Sequence, residues 1–568
     1  MDITLDDRLN VLQQISQRKL IEILDGISGS KDLIIEHRLM KILDTFVGVT
    51  ALKRFGVEKI YKMEQGLKPT NTQRVFLVSS DLIACKRVLD QIHSEIIGSM
   101  NQNQSSYHVL VTPSVPAVLH SLIEEEGLSG LLSLYSLSYE FIKLDGNVLS
   151  LENPIFCDLY YHYDNALLPA LARSLWSLQL ILGSSQLTIC LGKYSQQVLK
   201  LIESMEECLG SSSADKEVGA FIIIDRNCDF VSPLLTPVTY GGLLNEVLDV
   251  CIGNASSGST QTKLEPSRDQ IYGEVRDTPC SDVFPILHEK AKSLKTEQVG
   301  IQTMKLAEME RYVSTKLQKT RDMTRQLAFH ISACQTIADT LGSEFQAIQT
   351  TEKLILDGKE RKECLNHIER NIDEHPLRSL RLLCLLSVTS GGLSQSELLP
   401  IQKAHLHAHG YQNIPLFYKL QNTGLLKYKS ENILHKLPNW NSEWTNQAQR
   451  LKLIPASSKR NELKRRTCPS YVFNNAYVPL IAQILNIVLN QDKEARLFDD
   501  LCNMPNVIVN GQKGSVHSKM VLICVIGGIS NAEIAACRLV EKAAGIRLVL
   551  ASDSIITGNK LIERIQET

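Results

Sequence analysis

Near the C-terminus lies a strand–helix–strand unit that cannot stand alone. V-L-I-C-V-I (521–526) has the length and β-branching of a buried strand. It leads through Gly527–Gly528 into S-N-A-E-I-A-A-C-R-L-V-E-K-A-A-G, and R-L-V-L-A (547–551) follows as a second strand. Ser530 and Glu533 have capping-box spacing, so a helix starts between the two strands. Two strands do not make an independently stable α/β sheet. The remaining strands must come from elsewhere in the chain, and the tail is expected to complete a sheet begun around residues 120–230. That makes a discontinuous domain.

The rest of the sequence is consistent with such a plan. At 568 residues the chain is too long for one core, and two to four domains are expected. Strand-length apolar runs recur at Val75–Val78, Tyr107–Thr112, Leu187–Leu191 and Ala220–Ile224, with helical patterns such as Asn165–Ile181 between some of them. Alternation of this kind predicts parallel sheets with helices on their faces. The middle differs. No proline lies between Pro285 and Pro376, and glycine occurs there only at 300, 342 and 358. Leu306, Met309, Val313 and Leu317 step at helical spacing, so Ile301–Leu341 reads as one long helix or as two in a hairpin. Further helices are expected through Leu377–Ser387 and Gln402–Tyr411. The stretch Leu451–Thr467 reads as a basic connector back to the α/β domain.

Composition narrows the class. A 43% hydrophobic content and 21% charged residues suit a soluble globular protein. The formal net charge of -2 argues against a globally basic nucleic-acid binder. Fourteen cysteines contain no C-x-x-C pair, which excludes the usual zinc-ribbon and thioredoxin spacings and reads as reduced cytosolic thiols. The acidic opening M-D-I-T-L-D-D-R has no apolar core of a signal peptide, and no apolar run approaches the ~20 residues of a bilayer span. Membrane association is expected only through partners or the surface.

Candidate chemistry is sparse. Gly527–Gly528 sits between a strand and a helix, as a phosphate loop would. The fingerprint's second glycine is missing, however, because Ile529 and Ser530 occupy the two possible positions. No G-x-x-x-x-G-K-[S/T] and no G-x-S-x-G occurs. In H-L-H-A-H, His405 and His409 share a helix face while His407 points away, so at most two metal ligands are offered and nothing completes the set. The tract K-R-N-E-L-K-R-R (459–466) reads as a solvated linker, with a nuclear signal or contact with acidic lipid as the sharper alternatives. Residues 301–330 carry six basic side chains, Lys305, Arg311, Lys316, Lys319, Arg321 and Arg325, against three acids. That balance suits an acidic helical partner, and a solvated helix face would look the same.

The remaining candidate is F-I-I-I-D-R-N-C-D-F-V-S-P-L-L-T-P-V-T-Y (221–240). Asp225 and Asp229 stand at the carboxyl end of a strand, a common ligand position in open α/β sheets. One reading is an α/β enzyme that uses Asp225 and Asp229 with a metal or nucleotide. The other is a structural corner. Arg226 can satisfy a neighbouring carboxylate, the sequel is apolar and fixed by prolines, and no co-catalyst stands out. On this reading Asp225, Arg226 and Asp229 form a buried polar network at the start of the helical region.

The run D-R-N-C-D-F-V-S-P-L-L-T-P-V-T-Y-G-G-L-L resembles the signature of the SM (Sec/Munc) family of SNARE regulators. G-S-K-D-L-I-I-E…L-K-R-F-G-V-E-K-I-Y (29–61), H-I-S-A-C-Q-T-I (330–337), L-R-L-L-C-L-L-S (380–387), Y-V-F-N-N-A-Y-V-P-L (471–480) and I-G-G-I-S-N-A-E-I-A-A-C-R (526–538) resemble its vacuolar branch, in order. Asn474–Asn475 departs from the glycine pair common there, Gly241 replaces an acidic or amide residue, and 502–519 matches nothing in the family.

The resemblance implies an α/β plus α arch. Its parts would be an N-terminal α/β domain (1–118), a central α/β domain (119–240 and 468–568), and an inserted helical domain (241–467) with a hairpin at about 295–345. It implies no catalysis and no cofactor or metal. SNARE helices would meet the hairpin and its basic residues, Lys305, Arg311, Lys316, Lys319, Arg321 and Arg325. A helical-solenoid, Vps-sixteen-like subunit of a tethering complex would meet the later helical part, about 375–440, through Tyr411, Ile414, Phe417 and Lys403. Asp225, Arg226, Asp229, Pro233, Thr239 and Tyr240 would be structural. The implied role is vesicle docking and fusion in endosome–lysosome traffic. The protein would be cytoplasmic and peripheral on late endosomes, lysosomes or recycling endosomes.

Overall fold

A computed structural model of the chain describes residues 4–64, 67, 69–98, 105–210, 217–248, 250–257, 260–301, 317–429, 443–455, 468–511 and 519–568. The chain divides into two compact units. One comprises Met1–Lys143, Ala166–Gly183 and Val198–Ser213; the other comprises Leu144–Asn165, Ser184–Gln197 and Ala214–Thr568.

The first unit is built on a parallel five-stranded sheet of β1 (Lys31–Ile35), β2 (Val57–Lys62), β3 (Gln73–Ser79), β4 (Ser106–Thr112) and β5 (Leu132–Ser136), in the order β2-β1-β3-β4-β5. Its inner strands read as near-continuous apolar runs because helices cover both faces of a parallel sheet. Ile34, Phe76, Val78, Val109 and Val111 pack with Val88, Leu89 and Ile92 of the helix Leu82–Gly98. The expected boundary at residue 118 falls short. β5 pairs with β4, and the unit runs to Lys143. The L-S-L-Y-S run is half-exposed and too weakly apolar to announce an edge strand.

The second unit holds a seven-stranded sheet of β6 (Ile142–Asp145), β7 (Val148–Ser150), β8 (Ser185–Leu191), β9 (Val218–Asp225), β13 (Val507–Gly511), β14 (Met520–Ile526) and β16 (Arg547–Ser552), in the order β13-β8-β9-β14-β16-β7-β6. β14 lies between β9 and β16 and is parallel to both, with Phe221 opposite Leu522 and Val521 opposite Leu548. Strands about 300 residues apart in sequence are thus neighbours at the centre of one sheet. All eight residues of β9 and all seven of β14 are buried. β13 adds an antiparallel edge on β8, in a segment for which the sequence offered no reading.

Helices fill most of the segment between the two halves of this sheet. Cys280–Ile301 and Leu317–Leu341 pack side by side through Val283, Leu287 and Leu294 on one and Leu327, Ala333 and Ile337 on the other. Residues 302–316, on which the choice between one helix and two over Ile301–Leu341 turns, lie outside the described residues. Lys305, Arg311 and Lys316 lie outside the described residues, as does the basic tract 459–466. The same region contains a small antiparallel sheet that the sequence did not reveal, β10 (Val250–Cys251), β11 (Asn254–Ser257) and β12 (Thr260–Lys263). Its strands are too short to stand out, and its first turn rests on Ile252 and Gly253, both with positive φ. A pair of two-residue strands, β15 (Ile529–Ser530) and β17 (Ile555–Ile556), completes the unit. Among the described residues no helix is long and apolar enough to cross a membrane.

Candidate functional site

The corner after β9 is sealed. Asp225, Arg226 and Asp229 are at most 2% exposed. Arg226 does not pair with its neighbour Asp225. Its Nη1 and Nη2 donate to Glu533 Oε2 and Oε1 at 2.9 and 2.8 Å, a two-pronged charged contact. Nη1 also donates to the Gly528 carbonyl and Nη2 to that of Asp229. Glu533 in turn closes the capping box with Ser530, accepting from its N–H and hydroxyl at 2.9 Å. One carboxylate thus starts the C-terminal helix and neutralises the corner's arginine.

Asp229 serves three elements. It accepts from Ser232 N–H and hydroxyl, from the Tyr477 hydroxyl, and from Leu480 N–H at the start of the helix Leu480–Leu489. Residues 225–232, 477–480 and 528–533 are thereby tied together across the whole helical insertion. Removing one partner of such a buried pair costs ~3–5 kcal/mol, because the other charge stays buried and unpaired. Pro233 is buried in the short helix Val231–Leu234. Thr239 starts the helix Tyr240–Val247, and the Tyr240 hydroxyl lies 2.8 Å from His330 Nδ1, whose Nε2 is 3.0 Å from Asp269 Oδ2. This Tyr–His–Asp chain has the order of a proton relay, yet all three side chains are at most 1% exposed. It anchors the base of the hairpin to the corner.

The strand ends that hold ligands in many α/β proteins are occupied by the protein's own carboxylates. Asp225 accepts N–H groups of Tyr194 and Ser195 at 2.7 and 2.6 Å, at the first turn of the helix Lys193–Leu209. A side chain at Gly192 would collide with that carboxylate. Burial pushes Asp225 up to about 7, against the pull of these amides. Asp553, just after β16, accepts the N–H groups of Gly527 and Gly528 at 2.6 and 2.9 Å. Those are the amides a phosphate would need, and a side chain on Gly528 would collide with Ile556. The reading of Asp225 and Asp229 as an acid–base or metal pair is thus overturned. Each oxygen already has a donor, and both carboxylates are at most 2% exposed.

A different surface is open. The helix Gln395–His409 ends at Gly410, and Ile414–Asn422 begins after one tight turn. Tyr411 and Ile414 are 63% and 51% exposed, and Tyr418, one turn beyond Ile414, is 61% exposed. Lys403 is exposed as well. Phe417, expected to contact a partner, is 1% exposed and meets the His405 ring edge-on, so it supports the patch from beneath. Spacing could not separate the two roles, since Ile414 and Phe417 are both apolar residues of one helix. Tyr418 escaped the sequence reading although its i+4 relation to Ile414 places it on the same face. His405 is buried, its burial pushing it down to about 4, and His409 Nε2 lies 2.8 Å from the Ile372 carbonyl. On the hairpin, Lys319, Arg321 and Arg325 are exposed, and Arg321 and Arg325 lie opposite the buried stripe.

Comparisons with known proteins agree along nearly the whole chain. The Sec1 family model matches residues 31–564. Vacuolar protein sorting-associated protein 33B of Danio rerio is 27% identical over 602 residues, covering 98% of this chain and 97% of that protein. The Homo sapiens protein of the same name is 27% identical over 604 residues, again with 98% and 97% covered. Among solved structures, the SM protein Vps45 in complex with the Qa SNARE Tlg2 superposes with a TM-score of 0.60 at 14% identity, covering 98% of this chain and 97% of that one. The Unc18–syntaxin 1 complex from Monosiga brevicollis gives 0.55 at 14% identity, with 98% and 99% covered. This chain belongs to the Sec1 family, whose members are non-enzymatic regulators of SNARE-mediated vesicle traffic.

Proposed function

We propose that this chain binds SNARE helices along its helical hairpin and a helical-solenoid subunit of a tethering complex at the Tyr411–Ile414–Tyr418 patch. In this way it promotes vesicle docking and fusion in endosome–lysosome traffic, as a cytoplasmic protein held at those membranes through its partners. The observation that carries the reading is the patch. Two tyrosines and an isoleucine stand exposed on a rigid two-helix junction, with Phe417 and His405 packed below, and buried aromatic anchors of this kind dominate interface energetics. The hairpin adds Arg321 and Arg325 on an outward face, suited to an acidic helix. Two solved relatives of the fold are complexes with a syntaxin and with a Qa SNARE. A preformed face of this sort lowers the ordering cost of assembling a SNARE bundle.

The two surfaces are separable by mutation. Tyr411→Asp with Ile414→Lys is expected to reduce binding of the recombinant tether subunit at least 100-fold, while leaving an endosomal Qa-SNARE bound. Arg321→Glu with Arg325→Glu is expected to do the reverse. Wild-type binding of the tether subunit by the first variant would remove the patch from the mechanism.

A further inference from the structure

Two cysteines meet where the helices Cys280–Ile301 and Leu317–Leu341 pack together. Cys280 is the first residue of its helix, and its N–H donates to the Val238 carbonyl. Two residues beyond Val238, the Tyr240 hydroxyl reaches His330 on the facing helix. Cys334 stands one turn after His330 on that helix and so shares its face. Cys280 and Cys334 both pack in one apolar cluster with Tyr240, Val283 and Ile337. There the Cys334 thiol donates a hydrogen bond to the Cys280 sulfur.

The pair is asymmetric. Cys280 is half-buried, so small solutes reach it, whereas Cys334 is buried. The hydrogen bond from Cys334 holds the Cys280 thiol below the usual thiol range, and the same bond pushes Cys334 up. The positive end of a helix dipole at Cys280 acts in the same direction. Elsewhere burial pushes the thiols of Cys228, Cys384 and Cys524 up, which makes them inert. Cysteines that respond to oxidants combine thiolate character, access to solvent and a second thiol within reach. Cys280 has all three.

We propose that Cys280 and Cys334 are a reversible redox site, in which a peroxide oxidises Cys280 and Cys334 closes a disulfide that fastens the two helices together. The Cys280 sulfur attacks one peroxide oxygen and the O–O bond breaks. The departing hydroxide takes up the proton released by Cys280, leaving water and a Cys280 sulfenic acid. The Cys334 sulfur then attacks the Cys280 sulfur, and the S–O bond breaks. That hydroxide leaves with the Cys334 proton as a second water. Two thiols and one peroxide thus give one disulfide and two waters, and a dithiol reductant restores the pair by exchange.

Peptide mapping of the full chain tests this. The folded protein is treated with hydrogen peroxide, quenched with N-ethylmaleimide, and digested with trypsin without reduction. Cys280 and Cys334 fall in separate tryptic peptides, residues 277–290 and 326–353, and neither peptide holds a second cysteine. Their cross-link is expected at least tenfold above any other cysteine pair, and dithiothreitol should abolish it. In Cys334→Ser, Cys280 should accumulate the dimedone adduct of its sulfenic acid, at least tenfold more than the exposed Cys208. In Cys280→Ser, Cys334 should stay reduced. Should Cys334→Ser fail to fold by circular dichroism, Cys334→Ala replaces it. The proposal fails if wild type forms no 280–334 link, if dithiothreitol does not reverse it, if Cys208 labels as strongly as Cys280, or if Cys334 is oxidised without Cys280.

Discussion

Residues 225–240 and residues 404–418 invert the usual relation between chemistry and exposure. The first segment is charged and sits where α/β enzymes keep their carboxylates, yet its charges are buried and hydrogen-bonded, with only the Nε of Arg226 lacking a partner. The second is rich in apolar and aromatic side chains, yet it holds Tyr411, Ile414 and Tyr418 in water. Buried charge is costly unless every lone pair is met, so the polar segment carries a structural load. Exposed aromatics add little to the stability of the isolated fold, and the proposed function assigns them to a partner. Under the proposed function, the contrast separates stability from partner binding within one chain.

The largest effect that could break this contrast lies in the corner. Glu533→Ala removes both the partner of Arg226 and the cap of Ser530, and should cost ~3–5 kcal/mol of unfolding free energy in denaturant titration. A loss below 1 kcal/mol would mean that the corner is not a joint. In the other segment, Tyr411→Asp should shift stability by less than ~0.5 kcal/mol, since it touches only surface, while its effect on tether binding is large.

Titration sharpens the comparison from beneath the patch. The folded state holds His405 neutral down to about pH 4, whereas the unfolded chain takes up that proton near its ordinary 6.5. The unfolded state binds more protons between these values, so this group's contribution to stability is full above pH 6.5 and is lost as pH falls toward 4. His405→Phe should flatten that slope, removing a pH-dependent term on the order of 2 kcal/mol. Asp225 runs the other way. Its folded value of about 7 lies above the unfolded one, so its contribution declines as pH rises from 4 to 7.

A smaller effect than at the corner is expected at Asn474–Asn475. Both residues have positive φ, 49 and 59, the conformation a glycine pair would adopt freely. Asparagine tolerates it better than other side chains do. Asn475→Ala should therefore cost about 1 kcal/mol, and Asn475→Gly close to nothing.

What was legible in the sequence follows from range. The central strands, the Ser530–Glu533 cap and the helical insertion rest on local patterns, and the joining of the tail to a sheet begun around residues 120–230 followed from the rule that two strands cannot stand alone, while the pairing of β9 with β14 came only from the fold. The partner of Arg226 did not, because Glu533 is about 300 residues away and only the folded chain brings them together. Likewise Gly527–Gly528 could be dismissed as a phosphate loop by spacing, but Asp553 as the occupant of those amides had no sequence signal. Phe417 shows the remaining gap, since composition cannot tell a residue that supports a surface from one that forms it.

The most direct measurement is a double-mutant cycle on Arg226→Met and Glu533→Leu, read as unfolding free energy. If the corner is a buried charged joint, each single variant strands a charge or a cap and is severely destabilised. The double variant should then be more stable than the sum of the single losses implies, by at least ~2 kcal/mol. Additive losses, or single losses within ~0.5 kcal/mol of wild type, would contradict the joint and return Arg226 and its neighbours to the list of residues in search of a function.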